Sequence, residues 1–433
     1  MKLAGNFTMA QTALPLKQRH ISRFVFVLIC GFALIRPATV EGQSALSKTA
    51  HSANALRSMA RVYMAVGEYA KAQPLAEQAV ALARSGNVSD ARLSLCLIDL
   101  AWLYRDQARL AEAEKMCIEG LELQEKAYGR DHPYVAYTLR ILASVYQARG
   151  KYRLAAPVLD RAMAIMLANH KPDDHLIAGF QVDVAGLLTA QGKFAEAETY
   201  YSMAMDLVNK SYGPNHLYTA GVLGHMAELY VLQERFAEAQ TLIDRALKTQ
   251  QEVYGPNHHA IAPTWLTMAR IYLAGADYPE AETVLRKAMT AVRDKRGARH
   301  PLTGKVLAAL GELYLAQGRY AEAQNVCPRA VEVLTGSLGP DNDHTAMALN
   351  NMAKLYVHQG KYLEAEKLCA RALNTLESIF DERHPNVADV LETMSQVHRE
   401  SGDVAKADQL VRRAQQIRQS SRAAYELVAR LVE

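Results

Sequence analysis

Aromatic side chains make up only 7% of this 433-residue sequence, and its 14 prolines and 24 glycines are few for its length. With so few helix breakers, and with half of its residues hydrophobic, the chain is neither a disordered tail nor a loop-rich fold. It reads as ordered, alanine-rich and helical. Cysteine is scarce as well: Cys30 lies in an apolar N-terminal run, and Cys96, Cys117, Cys327 and Cys369 form no CxxC pair and no zinc-ligand spacing. A disulfide framework and a structural zinc site are thereby excluded. Nor is one sign of charge in excess. The 49 basic and 45 acidic residues leave a net +4, too little for a nucleic-acid partner, which needs a localised basic stripe. GxGxxG, HExxH and GxSxG are missing. The Gly-Lys-aromatic turns at Gly150, Gly192 and Gly360 carry Val145, Leu187 and Leu355 where a phosphate loop needs its first glycine. No cofactor, no metal and no catalytic chemistry are expected.

Long hydrophobic runs are lacking too, with one exception. Lys17, Arg19, His20 and Arg23 precede 12 apolar residues from Phe24 to Ile35; Arg36-Pro37 ends the run and small residues follow to Gly42. A basic flank, a short apolar stretch and a small-residue exit describe a secretory signal peptide over residues 1–42, with 43–52 as a linker. As a helix the apolar run would be about 18 Å long, short of the roughly 30 Å of a hydrocarbon core. Export to the periplasm or the medium is the expectation; a short membrane anchor through residues 24–35, or an unprocessed intracellular adaptor, is the alternative.

What the sequence does have is a repeat. The string Tyr-Gly-Pro-Asn-His occurs at Tyr212–His216 and again 42 residues later at Tyr254–His258. An aromatic or large apolar residue after a turn-like pair recurs at Tyr69, Leu110, Tyr152, Phe194, Phe236, Tyr278, Tyr320, Tyr362 and Val404, spaced 41 residues once and 42 thereafter. These mark nine units over residues 53–416. Each unit also carries three small residues, as in Ala143/Ala155/Ala162 and Gly311/Ala323/Ala330, degraded to Ser395/Ala407/Ala414 in the last. Small residues at crossing points let two antiparallel helices approach to the short end of the usual ~8–10 Å. One such pair cannot cover its own apolar face, so pairs stack and share a continuous core. Residues 417–433 read as a terminal capping helix, with Val411, Ala414 and Ile417 turned to the last repeat.

Strings such as LYLAQGRYAEAQ and LYVHQGKYLEAEKLCARAL make the chain resemble the tetratricopeptide repeat family, in the 42-residue variety of kinesin light chains. The resemblance implies an all-α, right-handed superhelical solenoid of about nine repeats whose inner surface, lined by the first helices, binds a peptide or protein. Counting around the first helices, the inner-face candidates are Arg57, Arg61, Asp99, Trp102, Arg140, Asp183, His225, Glu228, Arg270, Glu312, Asn350, Asn351 and Lys354. Kinesin light chains repeat asparagines there; here only Asn350-Asn351 matches. An enzyme built on Asp99, Asp183 and His225 is a poor alternative, because the three lie in different repeats. The recurring His132, His216, His258, His300 and His384, replaced by Asp174 and Asn342 in two units, read as helix boundaries. Copies one repeat apart are too distant to share a metal ion.

Overall fold

The computed structural model describes the backbone of residues 45–432 except 66 and 87, and within that span the side chains of residues 51–420. The expected signal peptide lies outside the described residues. Those described form nine antiparallel helix pairs: α1 (Ala45–Ala65) with α2 (Tyr69–Ser85), α3 (Asp90–Asp106) with α4 (Leu110–Tyr128), α5 (Pro133–Ala148) with α6 (Tyr152–Asn169), α7 (His175–Ala190) with α8 (Phe194–Tyr212), and α9 (Leu217–Leu232) with α10 (Phe236–Tyr254). A 3₁₀ turn (His259–Ile261) leads into α11 (Ala262–Ala274), which pairs with α12 (Tyr278–Arg296). Then come α13 (Pro301–Ala316) with α14 (Tyr320–Leu338), α15 (Asp343–His358) with α16 (Tyr362–Ile379), and α17 (Pro385–Glu400) with α18 (Val404–Val432). Every residue of the 42-residue ladder opens a second helix.

Two boundaries differ from the sequence reading. The first helix begins at Ala45, inside the stretch read as a linker. No separate capping helix follows residue 416: α18 runs unbroken to Val432 and reaches back to α8, since nothing in Arg412–Ser420 breaks a helix. Ala414 and Ile417 are buried as expected, and Arg413 bonds Glu377 at 2.7 Å.

The small residues sit where the pairs cross, and alanines such as Ala143, Ala155 and Ala162 are wholly buried. Glycine replaces alanine where the neighbour is larger: a Cβ on Gly311 would lie 2.7 Å from Cys327 Sγ. Cys96, Cys117, Cys327 and Cys369 are free and buried, as packing residues, and burial pushes the Cys327 thiol up to about 11.

Each tight turn needs one left-handed residue. Gly150 (φ +69°), Gly192 (+73°) and Gly360 (+71°) supply it, but Ala108 (+60°), Glu234 (+61°) and Ala276 (+58°) hold the same place without being glycine. A side chain there strains the backbone by roughly 1 kcal/mol. Glu234→Gly is therefore expected to raise the unfolding free energy by about 1 kcal/mol in urea melts; a loss of stability would show the turn to be unstrained.

The Tyr-Gly-Pro-Asn-His segments end one pair and start the next. Gly213 and Gly255 adopt φ near +90° with ψ of 171° and 159°, a region open to glycine alone. The histidine then caps the following helix: Nδ1 of His132, His216, His258, His300 and His384 accepts the N–H two residues on at 3.1–3.2 Å. Asp174 and Asn342 do the same with Oδ1, at 2.9 and 3.0 Å.

A cap that accepts at Nδ1 carries its proton on Nε2, and in later units that proton has a distant acceptor. His300 donates to the Asp106 carbonyl (3.0 Å), Asn342 through Nδ2 to that of Ala148 (3.1 Å), and His384 to that of Ala190 (2.9 Å). Each bond spans 194 residues and joins the start of a first helix in units seven, eight and nine to the end of one in units two, three and four. Unit six meets unit one likewise, with His259 packed on Gly67. Around these bonds, Arg296 donates to Asp106 O at 3.0 Å and covers the Tyr69 ring, and Tyr152 stacks on Phe380 at 5.1 Å. Five units thus complete one superhelical turn, and successive turns are in direct contact.

Candidate functional site

Contact between turns divides the inner face in two. In units one to four the C-terminal ends of the first helices are covered by the next turn; in units five to nine those ends meet no later turn among the described residues.

In the covered half the candidate residues hold one another. Arg57 Nε bonds Asp99 at 2.6 Å, Arg61 lies 4.0 Å from the same carboxylate, and Arg140 pairs with Asp183 while its guanidinium sits 5.3 Å over the Phe180 ring. Each pair ties neighbouring first helices together. Trp102 is half-buried with the Arg105 guanidinium 6.0 Å from its ring centre. These residues are brought together as expected, but their charges are satisfied within the protein. His225 is exposed and stacks on the buried Tyr201, 6.1 Å between ring centres. With Asp99 and Asp183 both held by arginines, no free carboxylate pair is set beside it.

In the open half the picture changes. Arg61, Trp102, Ser144, Gly186, Glu228, Arg270, Glu312, Lys354 and Gln396 occupy one repeat position, four residues before the end of each first helix. From unit five to unit eight this position reads acid, base, acid, base. Glu228, Arg270 and Glu312 are exposed and Lys354 is half-buried. None of the four has an ion-pair or hydrogen-bond partner among the described residues. One turn earlier on the same helices stand His225, Thr267, Ala309 and Asn351, a floor without carboxylate, lysine or arginine. Asn351 is nearly buried and donates to the Ala308 carbonyl at 3.2 Å; Asn350 is wholly buried, and neither of its side-chain polar atoms has a partner.

The row borders a cleft of about 430 Å³ lined in part by Glu312, Asn351, Lys354, His358, Asp389 and Glu392. At its far end Arg418 of α18 bonds Asp389 (2.8 Å) and Glu392 (2.9 Å). Burial raises the Asp389 carboxyl, and Arg418 opposes the shift. Further titratable groups sit near the starts of α13 and α15. His344 is pushed down to about 4 by its surroundings, partly offset by Asp343, and Lys305 is lowered by burial against the pull of Asp343 and Glu228. Both also feel Arg270. Sequence counting missed Lys305, Asp343 and His344 because they lie near helix starts, away from the counted stripe. Gln396 was within reach, since it continues the Lys354 position. Among the described residues, no group of three or more His, Cys, Asp or Glu side chains could hold a metal, and no helix is long and apolar enough to cross a membrane.

The tetratricopeptide repeat model matches residues 51–116, 103–168, 176–242, 218–294, 261–335, 304–362 and 344–420, nearly the whole of the paired helices. The chain belongs to the tetratricopeptide repeat family. Among solved structures, this repeat protein is similar to a Rap protein complexed with competence and sporulation factor, at 15% identity and a TM-score of 0.62, covering 88% of this chain and 99% of that one. It is also similar to aspartyl phosphate phosphatase F from Bacillus subtilis, at 13% identity and a TM-score of 0.50, covering 88% and 97%. The kinesin light chain TPR-like repeats of Podosopora anserina match at 22% identity over 47% of this chain and 97% of theirs, with a TM-score of 0.39. At these identities the likeness is one of fold. No curated sequence matches the tetratricopeptide chain significantly.

Proposed function

We propose that this tetratricopeptide repeat protein is an exported, non-catalytic scaffold that binds a peptide or protein partner on its inner groove, at the open half of the superhelix. The observation that carries the reading is the contrast between halves: the inner-face charges of units one to four are mutually paired, while Glu228, Arg270, Glu312 and Lys354 form no ion pair among the described residues, and Glu312 and Lys354 line a cleft. Unpaired surface charges contribute little to folding, which leaves this row available to a partner. The Rap protein of similar fold, complexed with competence and sporulation factor, supports the reading, because it shows such a solenoid with a bound factor.

Arg270→Glu with Lys354→Gln is expected to weaken capture of the partner by the 43–433 chain at least about tenfold, while the thermal melt shifts little, since unpaired surface positions rarely move stability by more than ~0.5 kcal/mol. Full retention of the partner by this variant would contradict groove binding. Export rests on the basic flank and 12-residue apolar run of the N-terminus. A mature chain starting near Gln43 is the expected result of N-terminal sequencing, and an intact Met1 on the exported or membrane fraction would leave the anchor reading in its place.

A further inference from the structure

The acid–base alternation at the open rim carries the account one step further. Glu228, Arg270, Glu312 and Lys354 stand at one position of four consecutive first helices, so the repeat itself sets their spacing. First helices of neighbouring units are in contact, which places successive side chains of the row roughly 8–10 Å apart. A peptide in the polyproline II conformation advances about 3.1 Å per residue with three residues per turn, so every third side chain faces the row and three residues span one unit. We infer that the partner presents a polyproline II segment of about ten residues whose charges alternate in sign at every third position, base–acid–base–acid, against this row. The inference rests on the groove reading above and specifies its ligand.

Three observations favour a ligand of this kind over a solvated rail. Each member of the row is followed by its opposite, yet none forms an ion pair with its neighbour, and the charges they act on inside the described protein are Lys305, His344 and Asp389, off the row. Elsewhere on the inner face opposite charges in adjacent units do close on one another, as Arg57 with Asp99 and Arg140 with Asp183, which shows that the lattice permits such pairs. The floor at His225, Thr267, Ala309 and Asn351 holds no carboxylate, lysine or arginine and is almost fully buried at Thr267 and Asn351. A uniformly acidic or basic partner would meet two repulsive contacts out of four. An alternating one meets none. Four exposed ion pairs of modest individual strength add to about a tenfold preference.

The test is selection from a displayed library of random twelve-residue peptides, run in parallel on the 43–433 chain and on its Arg270→Glu, Glu312→Arg variant. The exchange conserves net charge but converts the row from acid–base–acid–base to acid–acid–base–base. The wild type is expected to enrich peptides with alternating charges three residues apart, and the variant to enrich two bases followed by two acids at the same spacing. By fluorescence anisotropy each protein should bind its own class about tenfold more tightly than the other. The same motif from both proteins, or groove-dependent peptides without a three-residue charge period, would overturn the inference and leave groove binding standing. Failure to enrich any peptide, with the melts of both proteins intact, would overturn both.

Discussion

Replacing His300, Asn342 and His384 together with alanine is expected to lower the unfolding free energy by about 5–6 kcal/mol and to enlarge the particle. Each substitution removes two interactions: the helix cap, at about 1 kcal/mol, and the bond to the preceding superhelical turn, at about 1 kcal/mol. The three sites lie in different units, so the losses should add. Expansion separates this account from loss of caps alone. If the bonds hold turn on turn, the triple variant should show a larger radius of gyration by small-angle scattering well below its melting temperature. Asparagine should rescue it, because Asn342 already caps and bridges in the way the histidines do: His300→Asn with His384→Asn keeps both bonds. A triple alanine variant of unchanged dimensions would mean that stacking alone sets the superhelical turn.

Mild acid should have an effect of similar size. A capping histidine that accepts at Nδ1 and donates at Nε2 is neutral, and protonation turns its Nδ1 into a second donor facing an N–H. Burial holds His300 down at about 4, with Arg296 lowering it further and the Asp106 carbonyl resisting; burial and Arg296 hold His259 at about 3. In the unfolded chain both titrate near 6.5. The unfolded state therefore takes up protons that the folded state refuses as the pH falls from about 6.5 toward 4. Stability is complete above that window and is lost within it. At pH 5 each of the two accounts for on the order of 2 kcal/mol, or about 4 together, relative to pH 8. His216, His258 and His384 are shifted in the same direction by burial and add to the loss. Carboxylates with lowered values, such as Glu112 and Glu282, titrate below this range and leave it to the histidines. Urea melts at pH 8 and pH 5 give the difference directly, and the His300→Asn, His384→Asn variant should show a visibly shallower dependence. Equal stability at the two pH values would rule out a neutral-histidine clamp.

Most of the architecture was legible in the sequence because a repeat repeats its physics. The ladder from Tyr69 to Val404 marks the start of every second helix, and the buried alanines sit at the crossings that small residues require. Reading the Tyr-Gly-Pro-Asn-His segments as helix boundaries also held, since Nδ1 of each histidine makes the cap. The other ring nitrogen was not legible. Whether Nε2 of His300 meets anything depends on how many units complete a turn, a property summed over many small inter-helix angles that no local pattern prints. The same blindness explains the mixed outcome for the groove candidates. Arg57, Asp99, Arg140 and Asp183 share the inner face with Glu228 and Arg270, and sequence periodicity treats them alike. Only the contact between turns tells which half is closed and which end is open.

The claim that the open half of the inner face is the binding site is tested most directly by photo-crosslinking. A photoreactive residue at Ala309, on the floor beside Arg270 and Glu312, should crosslink the bound partner or selected peptide, whereas one at Leu363, on the second helix α16 and 63% exposed, should not. Crosslinks from Leu363 without any from Ala309 would place the partner on the outer surface and contradict the account.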